Sequence, residues 1–213
     1  MRAITYKYQD PLDLIWIHCA RRLGWHVTMS REVYASWDGK NTLWIATPED
    51  RDADDCVAQL IFHEICHALI AGEQGRQQID WGLCNFDQRD LQHELACHRL
   101  QAGIAQRFDL RAFMAVTTEW RPYYDALPQD PLTQMDYKSQ ILHQADLQTP
   151  DHSIMCAMMK QVKQAYQEFC QPSWHDPITQ ALQHTQHIRQ LLHLWHHAPY
   201  DAQAFKHDSL WMS

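Results

Sequence analysis

Apolar residues fill nearly every position from Leu60 to Gly72 (LIFHEICHALIAG), a pattern that predicts a helix buried on all sides, with Gly72 as its left-handed cap. The acidic stretch EDRDADD just upstream suits the N-terminus of that helix, where the positive end of the macrodipole favours carboxylates. Nearer the start, Asp10-Pro11 and Gly24 bracket a first helix over about 11–23, with Asp as cap and Pro at the first helical position. From His26 to Thr47 the pattern changes to short β-prone runs, HVTM, EVYASW and TLWIAT, and Asp38-Gly39 between the last two reads as a turn. A small sheet of two or three strands is expected there.

Residues 73–86 read as a loop, and a further helix is expected from about Asp87–Asp90 to Arg107. The remainder has helical periodicity, with breaks expected near Pro122, Pro128, Pro131, Pro150, Pro172 and Pro177. In the tail, Ala181, Thr185, Ile188, Leu192 and Trp195 alternate spacings of four and three, the seam of an amphipathic helix that should pack back on the rest. The fold class that follows is α+β and mainly helical: a small N-terminal β-sheet packed near the buried helix, then a helical C-terminal part. The expected division is a catalytic domain over 1–171 and a helical extension over 172–213.

Composition narrows the class of protein. The chain of 213 residues is 46% hydrophobic and 21% charged, the balance of a globular domain, and it shows no repeat or low-complexity tract. Its 26 acidic and 18 basic residues give a net charge of −8 without a basic cluster, which argues against nucleic-acid or anionic-membrane partners and suits a basic substrate group. No leader pattern opens the sequence and no apolar run reaches the length of a membrane span, so a cytoplasmic location is expected. Seven cysteines, none in a C-x-x-C pair, point to reduced and mostly buried thiols rather than to a disulfide framework or a thiolate zinc cage.

Polar groups at the centre of the apolar run carry the chemistry. His63-Glu64-Ile65-Cys66-His67 is an H-E-x-x-H motif, and on a helix residues four apart share one face, so both imidazoles can reach a single metal ion. Gln59 lies one turn below on the same stripe. Glu64, rotated about 100° around the helix, falls beside the ion, where a carboxylate can handle a proton of bound water. Burying these groups is costly without a partner, and a metal would supply one. The competing reading is a pair of hydrogen-bonded core histidines with Glu64 in an ion pair.

Catalytic metal sites usually combine three protein ligands with an open position. Helix LQHELACHRLQ downstream offers Glu94 as the first choice for the third ligand, with His98 or His93 as replacements. Otherwise, Glu94 could be engaged in an ion pair with Arg99 or Arg89. His63, His67 and Glu94 would suit one divalent ion, Fe(II) or Zn(II), since two imidazoles and a carboxylate serve both zinc hydrolases and non-haem iron enzymes. Asp80, before Trp81-Gly82, is a candidate acceptor for the outer N–H of a ligand imidazole.

The block HEICHALIAGEQGRQQIDWGLCNFDQRD resembles the bacterial elongation factor P hydroxylase family, through His63 to His67, Ile70-Ala71-Gly72, Arg76, Asp80-Trp81-Gly82 and Asp87 to Asp90. More broadly, the motif with a downstream Glu94 looks like zinc metallopeptidases whose third ligand is a glutamate. The first resemblance implies a metal-dependent and oxygen-dependent hydroxylase, with iron as its metal, acting on a modified lysine of a translation factor, with His63, His67 and a downstream glutamate as ligands. The second implies hydrolysis of a protein or peptide with Glu64 as general base. Outside enzymology, a metal-stabilised module that recruits a protein partner through its Trp-rich helices would show a closed four-ligand site, with His98 as the fourth.

Several other features are given structural readings. Tail residues His184, His187, His193, His196, His197 and His207 are expected on a solvated face. Cys66 points away from the histidine stripe and reads as core. Tyr123-Tyr124 could lend a phenol to the site, though packing at the surface is the commoner fate of such a pair.

Overall fold

The computed structural model describes residues 9–52, 55–84, 90–115, 117–118, 120–134 and 152–196, without the side chains of 152 and 192–196. Helix α1 (Pro11–Arg22) begins as expected: Asp10 accepts from the backbone N–H of Leu12 at 2.8 Å, and Pro11 occupies the first turn. It buries Leu12, Trp16, Cys19 and Ala20.

Strands β1 (His26–Ser30), β2 (Ala35–Trp37) and β3 (Thr42–Ala46) form one sheet in the order β1-β3-β2, with β1 parallel and β2 antiparallel to β3. Asp38 makes the turn between β2 and β3 by accepting the backbone N–H groups of Lys40, Asn41 and Thr42 at 2.8 to 2.9 Å. Gly39 beside it has φ +76°, and a Cβ there would lie 2.9 Å from the backbone carbon of Gln78, so glycine lets the turn touch the segment after the motif helix.

That helix, α2 (Val57–Arg76), starts later than the acidic stretch suggested. Its cap is Cys56, whose Sγ accepts from the N–H of Gln59 while the Gln59 side chain accepts from the N–H of Cys56, and no acidic residue lies in the first turn. Gly72 does interrupt the helix with φ +66°, yet another turn resumes to Arg76, and Ile79–Gly82 forms a 3₁₀ turn, so part of the expected loop over 73–86 is helical. Residues 85–89 lie outside the described ones.

Helix α3 (Leu91–Ala105) continues into a 3₁₀ turn (Gln106–Phe108) and packs along α2. The short α4 (Arg121–Asp125), α5 (His152–Phe169) and α6 (Pro172–His196) follow. The breaks expected near Pro122, Pro128, Pro131 and Pro172 are found: Pro122 and Pro172 sit in the first turns of α4 and α6, which need no N–H from them, Pro128 and Pro131 follow the end of α4, and Pro150 is outside the described residues. Pro177 lies inside α6 without ending it. Packing outweighs its lost hydrogen bond, because Ile178, Ala181, Leu182 and Thr185 are all buried beside it.

Helix α6 crosses α1, where Trp16 Nε1 donates to Thr185 Oγ1 at 2.9 Å, so the tail seam is realised through Ile188; the side chains of Leu192 and Trp195 are outside the described ones. One apolar core runs from α1 through α2 and α3 to α6. The architecture is α+β, mainly helical, with the sheet against the C-terminal end of α2: Trp37 of β2 stacks on Trp81 at 4.6 Å and donates to the carbonyl of Arg76 at 2.8 Å. Among the described residues no helix is long and apolar enough to cross a membrane.

Candidate metal centre

His63 and His67 stand one turn apart on α2, and Glu94 enters from the first turn of α3. The Nε2 atoms of the two histidines are 3.0 Å apart, His63 Nε2 is 3.3 Å from Glu94 Oε1, and His67 Nε2 is 3.2 Å from Glu94 Oε2. Ligand atoms about 2.1 Å from a shared ion stand about 3.0 Å apart at right angles and about 3.4 Å apart at the tetrahedral angle, so the three edges fit a single ion. The side chains of Glu94 and His63 are 23% and 17% exposed, which leaves the cluster one open side.

His98, one turn beyond Glu94, is wholly buried, with Nε2 3.1 Å from Glu94 Oε1 but off the line of a hydrogen bond. His63, Glu94 and His98 can present ligand atoms within 4.8 Å of one another. His63, His67 and Cys97 form a second such group, and the cluster around His63 is compatible with one metal ion. Arg99 does not compete for Glu94: it turns away to Tyr123 and to the carbonyls of Pro131 and Gln134, while Arg89 lies outside the described residues. His93 stacks on His67, ring centroids 5.6 Å apart.

The chain orients these ligands. Gln101 Nε2 donates to the carbonyl of Met114 at 2.8 Å, which turns its Oε1 to His63 Nδ1 at 2.9 Å. Nδ1 of His63 therefore carries the proton, and its Nε2 lone pair faces the cluster. Without an ion, the His63 pKa is raised to about 9: burial would lower it, and the hydrogen bond and charge of Glu94, with the charge of Glu64, outweigh that. Burial would raise the Glu94 carboxyl, but His67 and His98 and the hydrogen bonds from His63 and His67 hold it well below the usual range. His98 is lowered, chiefly by burial, and His93 is pushed down to about 4 by burial and by His67.

Glu64 is buried beside the cluster and accepts from Trp81 Nε1 at 2.8 Å. Trp81 and its neighbour Asp80 both hold left-handed backbone, φ 60° and 48°. Asp80 is not the acceptor of a ligand imidazole: its Oδ1 accepts from Ser36 Oγ at 2.7 Å and from the N–H of Trp37 at 3.0 Å, so it anchors the turn that aims the indole. Gln59 likewise leaves the stripe, donating to the carbonyl of Phe113 at 3.0 Å.

Three contributors escaped the sequence reading. Gln101 lies seven residues after Glu94, on the same helical face, a spacing that could have revealed it. Trp81 was visible in the motif block, though nothing in a sequence assigns its indole to Glu64. Cys97 lies with Sγ 3.6 Å from the carbonyl of His63 and 3.7 Å from its Nδ1, and burial raises its thiol well above the usual value. Cys66 is core, as expected. None of the seven cysteines is in a disulfide, but of these Cys19, Cys66 and Cys97 alone are fully buried, fewer than expected; Cys156 and Cys170 are exposed.

Tyr123 and Tyr124 are buried rather than at the surface, and their hydroxyls donate to the carbonyls of Leu95 and Arg111. Their rings, with that of Trp120, wall His98 at centroid distances of 6.0 to 6.4 Å. His184 and His187 are exposed as expected; the side chains of His193 and His196, and residues 197 and 207, are outside the described ones. Comparison with protein-family models, curated proteins and solved structures finds no match to this chain.

Proposed function

We propose that the chain is a single-metal enzyme that hydroxylates a lysine-derived side chain on a protein, with a translation factor as the partner class and Fe(II) as the ion. The observation that carries the metal reading is the convergence of His63 Nε2, His67 Nε2 and Glu94 with edges of 3.0 to 3.3 Å. The ion would supply O₂ activation. One oxygen atom enters a C–H bond of the side chain as hydroxyl, and the other leaves as water with two electrons and two protons from an external reductant. Net charge −8 favours a cationic substrate, and seven free cysteines suit a reducing cytoplasm.

Glu64 favours hydroxylation over hydrolysis. One of its oxygens is committed to the Trp81 indole, which leaves a single oxygen to meet a proton of bound water. A zinc metallopeptidase remains the second reading, supported by the burial of Glu64 beside His63, where it could take a proton from water.

Metal analysis of untagged protein purified without oxygen, beside Glu94→Ala, tests both. Iron near one equivalent, lost in the variant, with O₂-dependent turnover on a lysine-modified translation factor is the expected result. Zinc near one equivalent, with peptidase activity abolished in Glu64→Gln while zinc stays bound, would replace hydroxylation by hydrolysis.

A further inference from the structure

We infer that His98 is a fourth protein ligand, making the centre three imidazoles and one carboxylate. This rests on the metal reading above and deepens it. His98 is 0% exposed, and both of its ring nitrogens lack a hydrogen-bond partner, a costly state for an imidazole walled by Trp120, Tyr123 and Tyr124. Its Nε2 stands 3.1 Å from Glu94 Oε1, the length of an edge between neighbouring ligands of one ion, yet it is misaligned as a hydrogen-bond donor. The ring is nearly parallel to that of His63, centroids 5.2 Å apart and planes 26° apart, and both imidazoles bring Nε2 to Glu94 Oε1. An ion accepts the Nε2 lone pair that the protein leaves idle.

The fourth ligand limits what else the ion can hold. It would leave one open position fewer than His63, His67 and Glu94 alone, which would favour a reaction whose electrons come from a separate reductant over one that also needs a 2-oxo acid on the metal.

Cobalt(II) is the probe, because its visible absorption reports ligand number and type. The full-length protein should bind one equivalent. His98→Phe keeps the ring volume and should weaken binding by more than about 100-fold with a changed spectrum, beyond the 10- to 100-fold expected for a residue that only orients a ligand. His98→Ala should regain the wild-type spectrum when free imidazole is added.

An unchanged spectrum in folded His98→Phe would overturn the fourth ligand while leaving His63, His67 and Glu94 as the centre. Wild-type protein that takes up no cobalt would remove the centre altogether.

Discussion

Trp81 Nε1 donates to Glu64 Oε2 across 2.8 Å, tying the motif helix to a turn whose two central residues, Asp80 and Trp81, both hold left-handed backbone. Strain of this kind costs about 1–3 kcal/mol per residue and persists only where surrounding contacts over-determine it. Here those contacts come from β2, so the sheet sets the position of the carboxylate beside His63, His67 and Glu94.

Trp81→Phe should keep most of the apolar packing and remove only the donor. Glu64 is buried, so losing its partner should cost about 1–3 kcal/mol. Chemical denaturation measures that loss, and metal stoichiometry should stay at one equivalent. Loss of metal in this variant would mean that Glu64, not Glu94, is the ligand.

Gln101→Met should act on the metal through His63. The Gln101 carbonyl holds the proton on Nδ1, and without it the ring loses the bias that presents Nε2 to the cluster. Metal affinity should fall about 10- to 100-fold, read by competition with a chelating dye. Stability should fall by about 1–3 kcal/mol, because the carbonyl of Met114 loses its donor. Unchanged affinity with reduced stability would confine Gln101 to a packing role.

The pH dependence has opposite signs with and without metal. In the metal-free protein the His63 pKa of about 9 lies above the unfolded value of 6.5, so its stabilisation is full below 6.5 and is lost as pH rises through 9, with a ceiling of about 3 kcal/mol. Glu94, held low by the same cluster, contributes above its unfolded value of 4.5 and loses its share as the medium becomes strongly acidic. Melting temperature of the metal-free protein should therefore fall between pH 6.5 and 9. Metal binding displaces the extra proton, so affinity should rise over that range, by up to about tenfold per pH unit. Calorimetry in buffers of different ionisation enthalpy would count the proton released.

What the sequence made legible follows from local rules. Asp10-Pro11, the Asp38-Gly39 turn and the four-residue spacing of His63 and His67 each depend on neighbours in the chain, and each is realised in the structure. That Glu94 meets His63 and His67 was reachable because a partner for the pair must come from a neighbouring helical face. The Asp80 assignment failed for a different reason: its partners Ser36 and Trp37 lie 44 and 43 residues away, and only the fold decides which polar group a buried carboxylate meets. The turn after Gly72 was missed because a left-handed glycine ends a helix locally but cannot prevent the next residues from starting another.

Coupling between the sheet and the site can be measured directly. Asp80→Ala removes the acceptor of both Ser36 Oγ and the N–H of Trp37, so the strained turn loses the contacts that hold it. The single variant should cost about 2–4 kcal/mol, the orphaned N–H adding to the relaxed turn. In a double-mutant cycle with Trp81→Phe the two losses should not add: once the turn has relaxed, the indole no longer reaches Glu64, and the second change should cost at least about 0.5 kcal/mol less than it does alone. Additive losses would mean that the Trp81 to Glu64 bond survives without its anchor and that α2 alone fixes the carboxylate.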